Sequence, residues 1–251
     1  MQQNVPPGQQ RCRRLCWPGG DEAGGGSRFE WRPALPNICA SFAHVRRSFA
    51  PLGLWRWGDW VYSRIMAQSS YLSGQMLLAM PGIGDPRFER AVIAMCAHDE
   101  EGAMGVGVGA PIRDLGLHEL LDQFGIGRGC APDAPISFGG PVEPGRGFVL
   151  HSRDWSGQGT MDVAGRWALS GTIDILRSIA AGRGPRRWLV ALGYAGWSAG
   201  QLDEEMTRHG WMNVAGSADL LFNTPIDERW TRGFASAGVD TRLLSSSAGM
   251  A

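Results

Sequence analysis

The stretch Trp188 to Gly210, W-L-V-A-L-G-Y-A-G-W-S-A-G-Q-L-D-E-E-M-T-R-H-G, constrains the fold more than any other part of the chain. It opens with five apolar residues, Trp188 to Leu192, the length of a strand buried on both faces. Gly193, Ala195 and Gly196 then break the run. Ser198 is placed to cap a helix, with Gln201 three residues on to complete a capping box, and Trp197 and Leu202 to staple its start. Asp203 and Glu204 suit the first turn, and Gly210 suits the stop. The expected unit is strand, turn, helix.

Within it, Gly196-Trp197-Ser198-Ala199-Gly200 matches G-x-S-x-G, the nucleophile elbow of α/β-hydrolases. A serine needs a histidine to take its proton and a carboxylate to orient that histidine. The only downstream histidine, His209, sits eleven residues along the expected helix, about 16 Å away at 1.5 Å per residue. His98 and His151 lie upstream. The capped helix start is the better reading, and no catalytic residue is assigned.

Charge divides the chain. Residues 1–66 carry nine Arg against four acids; residues 67–251 carry fifteen Arg against twenty acids, with no Lys anywhere. The acidic remainder argues against a broad nucleic-acid surface, which needs clustered positive charge. No apolar run reaches the length of a membrane span, and no secretory signal pattern is present. Five cysteines at irregular spacing make no disulfide framework, so a cytoplasmic setting is expected. Residues 1–69 mix Pro, Gly, Arg and Gln without period and read as a disordered or weakly helical extension, with Met66 as the expected true start. Cys12, Cys16, Cys39 and His44 have loose spacing for zinc, and no metal site or cofactor is expected.

From Gln75 onward the patterning is dense. Strands are expected at Gln75–Met80, Ala91–Ala97 and Ala103–Val108, the last two forming a hairpin around Asp99–Gly102. Gly105, Gly107 and Gly109 alternate with valines, so their service is close approach of a neighbouring element, not phosphate binding. Asp114 is expected to cap a helix to Phe124. A Pro144-Gly145 turn precedes a strand at Phe148–His151, and Met161–Leu169 reads as one strand. Thr172 opens a helix to Ala181, Ala218–Phe222 reads as a strand, and Thr224 with Pro225 opens a last helix lined by Ile226, Trp230 and Phe234. Strands and helices alternate irregularly, which means α/β with a mixed sheet.

Five blocks in this order resemble the AlgH/YqgE family: L-L-A-M-P-G-I-G-D-P-R-F (Leu77 to Phe88), C-A-H-D-E-E-G-A-M-G (Cys96 to Gly105), G-G-P-V-E-P-G-R-G-F-V-L-H (Gly139 to His151), L-G-Y-A-G-W-S-A-G-Q-L-D-E-E (Leu192 to Glu205) and T-P-I-D-E-R-W (Thr224 to Trp230). The resemblance covers about residues 70–251. It implies one α/β domain with a mixed sheet bent into a pseudo-barrel and flanked by helices. It also implies transcriptional regulators of unassigned biochemical activity. Gly109 and Met250 stand where the family has an asparagine and a histidine, and Ser198 where glycine is common.

The expected mode of action is through a protein partner or a small anionic ligand, without direct DNA readout. The alternative is an anion-binding protein or hydrolase with its cleft near Ser198 and Arg146. Candidate ligand contacts are His98, Arg146, His151, Tyr194, Trp197, Ser198 and Gln201. Each has a plainer service: the histidines can bond turn backbone, Arg146 can pair with Glu143, and the aromatics can be core.

Overall fold

The computed structural model describes residues 71–208 and 210–244. The N-terminal extension, the Met66 start, the cysteine-histidine quartet and His209 lie outside them. Ten strands alternate with five helices. The first three strands are β1 (Met76–Ala79), β2 (Val92–Asp99) and β3 (Gly102–Gly107); β4 (Pro111–Gly116), α1 (Leu117–Gln123) and β5 (Pro135–Phe138) follow. Next come β6 (Val142–His151), β7 (Met161–Val163), β8 (Trp167–Ser170), α2 (Ile173–Ala180) and β9 (Trp188–Ser198). The chain closes with α3 (Gln201–Thr207), β10 (Trp211–Val214), α4 (Ala218–Phe222) and α5 (Arg229–Ser236). The sheet runs β10-β1-β2-β3-β9-β6-β8-β7, with β5 joining β9 to β4. It is mostly antiparallel and curls into a half-barrel.

β9 is the hub. Its first half pairs antiparallel with β6 and parallel with β5; its second half pairs with β3. The change of neighbour falls at Gly193, which has φ +75°. A Cβ there would collide with the carbonyl oxygen of Gly140, so only glycine fits. Beside it, Gly107 donates to the Gly139 carbonyl at 2.7 Å, which is the close approach expected of the G-x-G-x-G strand. Opposite Gly193, β6 bulges: Val142 faces Tyr194 and Gly147 faces Leu192, leaving Glu143 to Arg146 looped out.

Side chains alternate between two cores because a strand has period two. Met76 and Leu78 enter one cluster with Val92, Trp230 and Phe234. Leu77 and Ala79 enter another with Ile93, Trp197, Leu202 and Trp211. A third, under α1 and α2, takes Val190 and Leu192 from β9. Fully burying each leucine contributes about 1.5–3 kcal/mol. This double burial is why the strands read as continuous apolar runs.

Several local expectations are corrected. β9 does not end at Leu192 but runs through its glycines to Ser198, and Gly200, in the left-handed region, is the N-cap of α3. Gly116 is the N-cap of α1, with the Glu119 carboxylate accepting from its N–H. Asp114 lies inside β4 with φ +57°. Met161–Leu169 is a hairpin, because Ala164 and Gly165 both take positive φ and turn the chain. Ala218–Phe222 is a helix capped by the Ser217 side chain, which accepts from Leu220 N–H. Helix α5 starts at Arg229, four residues after Pro225: the Glu228 N–H bonds the Pro225 carbonyl in a turn at 3.0 Å, and the Thr224 carbonyl accepts from the Arg229 guanidinium at 3.1 Å.

Candidate functional site

Ser198 ends β9 and is exposed. Its hydroxyl donates to Gln201 Oε1 at 2.9 Å, and the same oxygen accepts the Ser198 N–H at 3.1 Å. The reciprocal half of a capping box is thus present without the serine acting as cap. Gln201 in turn donates to Glu205 Oε1 at 3.0 Å, and Glu205 Oε2 accepts the indole N–H groups of Trp197 at 2.9 Å and Trp211 at 2.8 Å. Sequence reasoning assigned nothing to Glu205; the signal available was its i, i+4 spacing from Gln201.

No described histidine serves Ser198. His98 pairs across the hairpin with Ala103, which pairs with Trp197. It therefore shares the Trp197 face, and Ser198 points to the other. Its Nδ1 accepts from Leu72 N–H at 3.2 Å, with Tyr71 edge-on to the ring at 5.5 Å. His151 stands opposite Trp188, ten residues up β9 from Ser198, on the order of 30 Å at 3.3 Å per residue.

At that far end a different serine meets the histidine. His151 Nδ1 lies 2.9 Å from the Ser152 carbonyl, which only accepts, so Nδ1 carries the proton. Nε2 then accepts from the Ser170 hydroxyl at 3.0 Å, and Thr160 donates to Ser170 Oγ at 2.8 Å. Trp155 stacks edge-on at 5.5 Å. This is the hydrogen-bond order of a serine-histidine pair with a carbonyl in place of the acid. Both side chains are 0% exposed, so no substrate reaches Ser170. Burial lowers the pKa of His151 below its ordinary value, partly opposed by Ser152 and Asp154.

Arg146 emerges from the β6 bulge and is 4% exposed. It pairs with Glu143 at 3.2 Å and lies 5.2 Å from the Phe148 ring, while its Nε has no partner. Tyr194 packs edge-on to Phe148 at 5.9 Å, and burial and Glu143 raise its pKa. Arg146 and Tyr194 therefore belong to one cluster at the Gly193 kink. Ser198, to which Gln201 is bonded, lies about 13 Å further along the strand from Tyr194, so one small ligand does not bridge the two.

The clefts lie elsewhere, on both sides of the loop Met80–Arg90. One, of about 690 Å³, is lined by Met80 to Pro86, Glu89, Arg90, Trp230, Thr241, Arg242 and Leu244. Trp230 is buried as expected, its indole donating to the Ala79 carbonyl at 2.9 Å, and the Arg90 guanidinium lies 5.0 Å over its ring. Arg90 is held there by a left-handed backbone, φ +54°. The other, of about 340 Å³, lies between the loop and α3. The block P-G-I-G-D-P-R-F carries this wall, and the sequence marked it for resemblance without marking it for a cleft. Among the described residues no group of three His, Cys, Asp or Glu side chains could hold a metal ion. Nor is any helix long and apolar enough to cross a membrane.

Fold and clefts define an α/β half-barrel protein with its grooves beside a glycine- and proline-rich loop. The chain belongs to the AlgH-like family, whose sequence model matches residues 76–242. It is 59% identical over 182 residues to a UPF0301 protein of Sphingopyxis alaskensis, covering 72% of this chain and 97% of that protein. It is 58% identical over 180 residues to one from Rhizorhabdus wittichii, with the same coverage. The solution structure of the AlgH protein from Pseudomonas aeruginosa matches with TM-score 0.59 and 39% identity, over 72% of this chain and 97% of that one. A Corynebacterium diphtheriae crystal structure shares the fold at 17% identity, TM-score 0.55.

Proposed function

We propose that this protein is a regulator that works through a small anionic ligand or a protein partner seated in the 690 Å³ cleft, without reading DNA itself. The observation that carries the reading is the Arg90–Trp230 pair. It places an aromatic floor and a guanidinium together in a groove of ligand size. No ion pair among the described residues includes Arg90, so its charge is available to an anion. Arg242, at the rim, is paired with Asp240 at 2.7 Å. The excess of acids over arginines in residues 67–251 supports the absence of direct DNA binding.

The test is a thermal-shift screen of the full chain against aromatic and aliphatic carboxylates, repeated on Arg90→Gln and Trp230→Phe. A ligand at a hundred times its Kd stabilises by about 2.7 kcal/mol, and that gain should be lost in both variants. A gel-shift titration runs beside it. Nanomolar, sequence-specific binding to duplex DNA would overturn the reading, as would carboxylate stabilisation that both variants retain.

A further inference from the structure

The smaller cleft carries a charge of the opposite sign. Its walls are Pro81, Ile83 and Phe88 from the loop and Glu205, Arg208 and Trp211 from the far side, with Asp85 at the shared edge. Phe88 and Trp211 meet edge-to-face at 5.5 Å, and Trp197 stands behind Trp211 at 6.0 Å. Two charged groups besides Glu205 line this cleft, and each has a partner. Asp85 is held by Arg87 at 2.6 Å, and Arg208 pairs with Glu204 at 3.4 Å.

Glu205 differs. Its two oxygens take three hydrogen bonds, all from neutral donors: the Trp197 and Trp211 indoles and the Gln201 amide. Among the described residues no cation pairs with it. The carboxylate is thus fixed in direction and left with its full negative charge beside an aromatic wall. Indoles orient a carboxylate without neutralising it, and a cation beside aromatic rings gains from both the charge and the ring quadrupoles. A volume of about 340 Å³ is near the lower end of ligand pockets, enough for a head group and a short chain.

We infer that this cleft is a binding site for an organic cation, a guanidinium or alkylammonium head group that completes the charge of Glu205 against Phe88 and Trp211. The head group can belong to a free small molecule or to an arginine side chain within a polypeptide. The two clefts share Pro81, Ile83 and Asp85 of the loop, but the groups that carry each reading differ, Arg90 with Trp230 in one and Glu205 with Trp211 in the other, so failure here leaves that reading untouched.

The test uses the full chain labelled with ¹⁵N, with the indole N–H signals of Trp197 and Trp211 assigned through Trp→Phe variants. Agmatine is titrated as the free cation, and N-acetyl-arginine amide as the polypeptide-borne one. Saturable movement of both indole signals is expected with a Kd of about 1 mM or tighter, while acetate leaves them in place. Response to agmatine alone assigns a free ligand; equal response to the capped residue assigns a polypeptide. Glu205→Gln removes the charge and keeps hydrogen-bonding groups, and should weaken binding at least about tenfold. Phe88→Leu provides the same comparison without touching the carboxylate, and should weaken binding severalfold, so a folding failure of the first variant does not end the test. The inference is overturned by indole signals that do not move saturably with either cation, or by affinities unchanged in the folded variants.

Discussion

The two ends of β9 are built from one vocabulary and differ in what they exclude. At the Trp188 end, serine, threonine, histidine and tryptophan form the chain Thr160–Ser170–His151–Ser152 with Trp155 against it, and His151 and Ser170 are sealed from water. At the Ser198 end, serine, glutamine, glutamate and two tryptophans form the chain Ser198–Gln201–Glu205 with both indoles, and it borders a cleft. The sealed end closes its hydrogen bonds with neutral groups, as low dielectric demands. The open end keeps a carboxylate. Which end a ligand can reach is therefore decided by access, and of the two only the Ser198 end borders a cleft. The serine that holds a histidine is the one that substrate cannot reach.

The largest expected effect lies at the sealed end. Ser170→Ala strips the donor from the buried His151 Nε2 and an acceptor from the half-buried Thr160. Leaving such groups unsatisfied costs about 1–3 kcal/mol. Chemical denaturation of the variant against wild type measures it. A change below about 0.5 kcal/mol would mean that water enters this end after all, and the contrast with the Ser198 end would fall.

The contrast also explains what could be read from the residues in advance. Strands β1 and β2 were legible because each is buried on both faces along most of its length, so apolar runs and length sufficed, and β3 followed as the hairpin partner of β2 across the polar turn. The core service of Trp230 and Phe234 followed from their spacing. The glycines of β9 misled: Gly193 and Gly196 look like breakers, but here a positive φ redirects a strand from one neighbour to another without ending it. Only tertiary pairing distinguishes those outcomes. His151 and Ser170, nineteen positions apart, meet because β6 and β8 pair, and no local pattern announces it. Glu205 was invisible for the same reason, since Trp211 reaches it only after β10 returns beside β1. The clefts depend on a loop folded back on itself, where Gly82 and Gly84 both take positive φ, and loop path is the least local property of a chain.

A smaller effect separates the ends by pH. Burial holds the His151 pKa below its ordinary value, so the native ring stays neutral where the unfolded chain's ring has taken up a proton. The unfolded state then binds more protons, and stability falls as pH falls. The contribution is complete above about pH 6.5, the unperturbed histidine value, and is lost progressively below it. The carboxylates held low by hydrogen bonds, Asp85, Asp122 and Asp240 by Arg87, Arg128 and Arg242 and Asp162 by the Gly165 N–H and then Arg153, lose their contributions only beneath their ordinary range. Melting temperatures between pH 8 and pH 5 should decline, and His151→Gln should flatten the decline while lowering stability at pH 8. An unchanged slope in the variant would show that the ring titrates as freely as in water.

The smallest effect is expected at Ser198, and it tests both ends at once. Its hydroxyl is exposed and donates to a side-chain oxygen that already accepts the Ser198 N–H. Removing it leaves Gln201 Oε1 with a backbone donor and access to water. Ser198→Ala should therefore change stability by no more than about 0.5 kcal/mol, the usual range for a surface position. A true N-cap would lose about 0.5–2 kcal/mol on the same change, so a loss near the top of that range would restore the cap that the Gly200 geometry replaces. A fluorophosphonate probe supplies the second reading. Ser198 has no described histidine within reach to activate it, and Ser170 has the histidine but no access, so neither should be labelled in the native protein. Labelling of Ser198 would require a base absent from the described residues. Labelling of Ser170 without unfolding would require the Trp155 segment to open, and the sealed end would then be the reactive one.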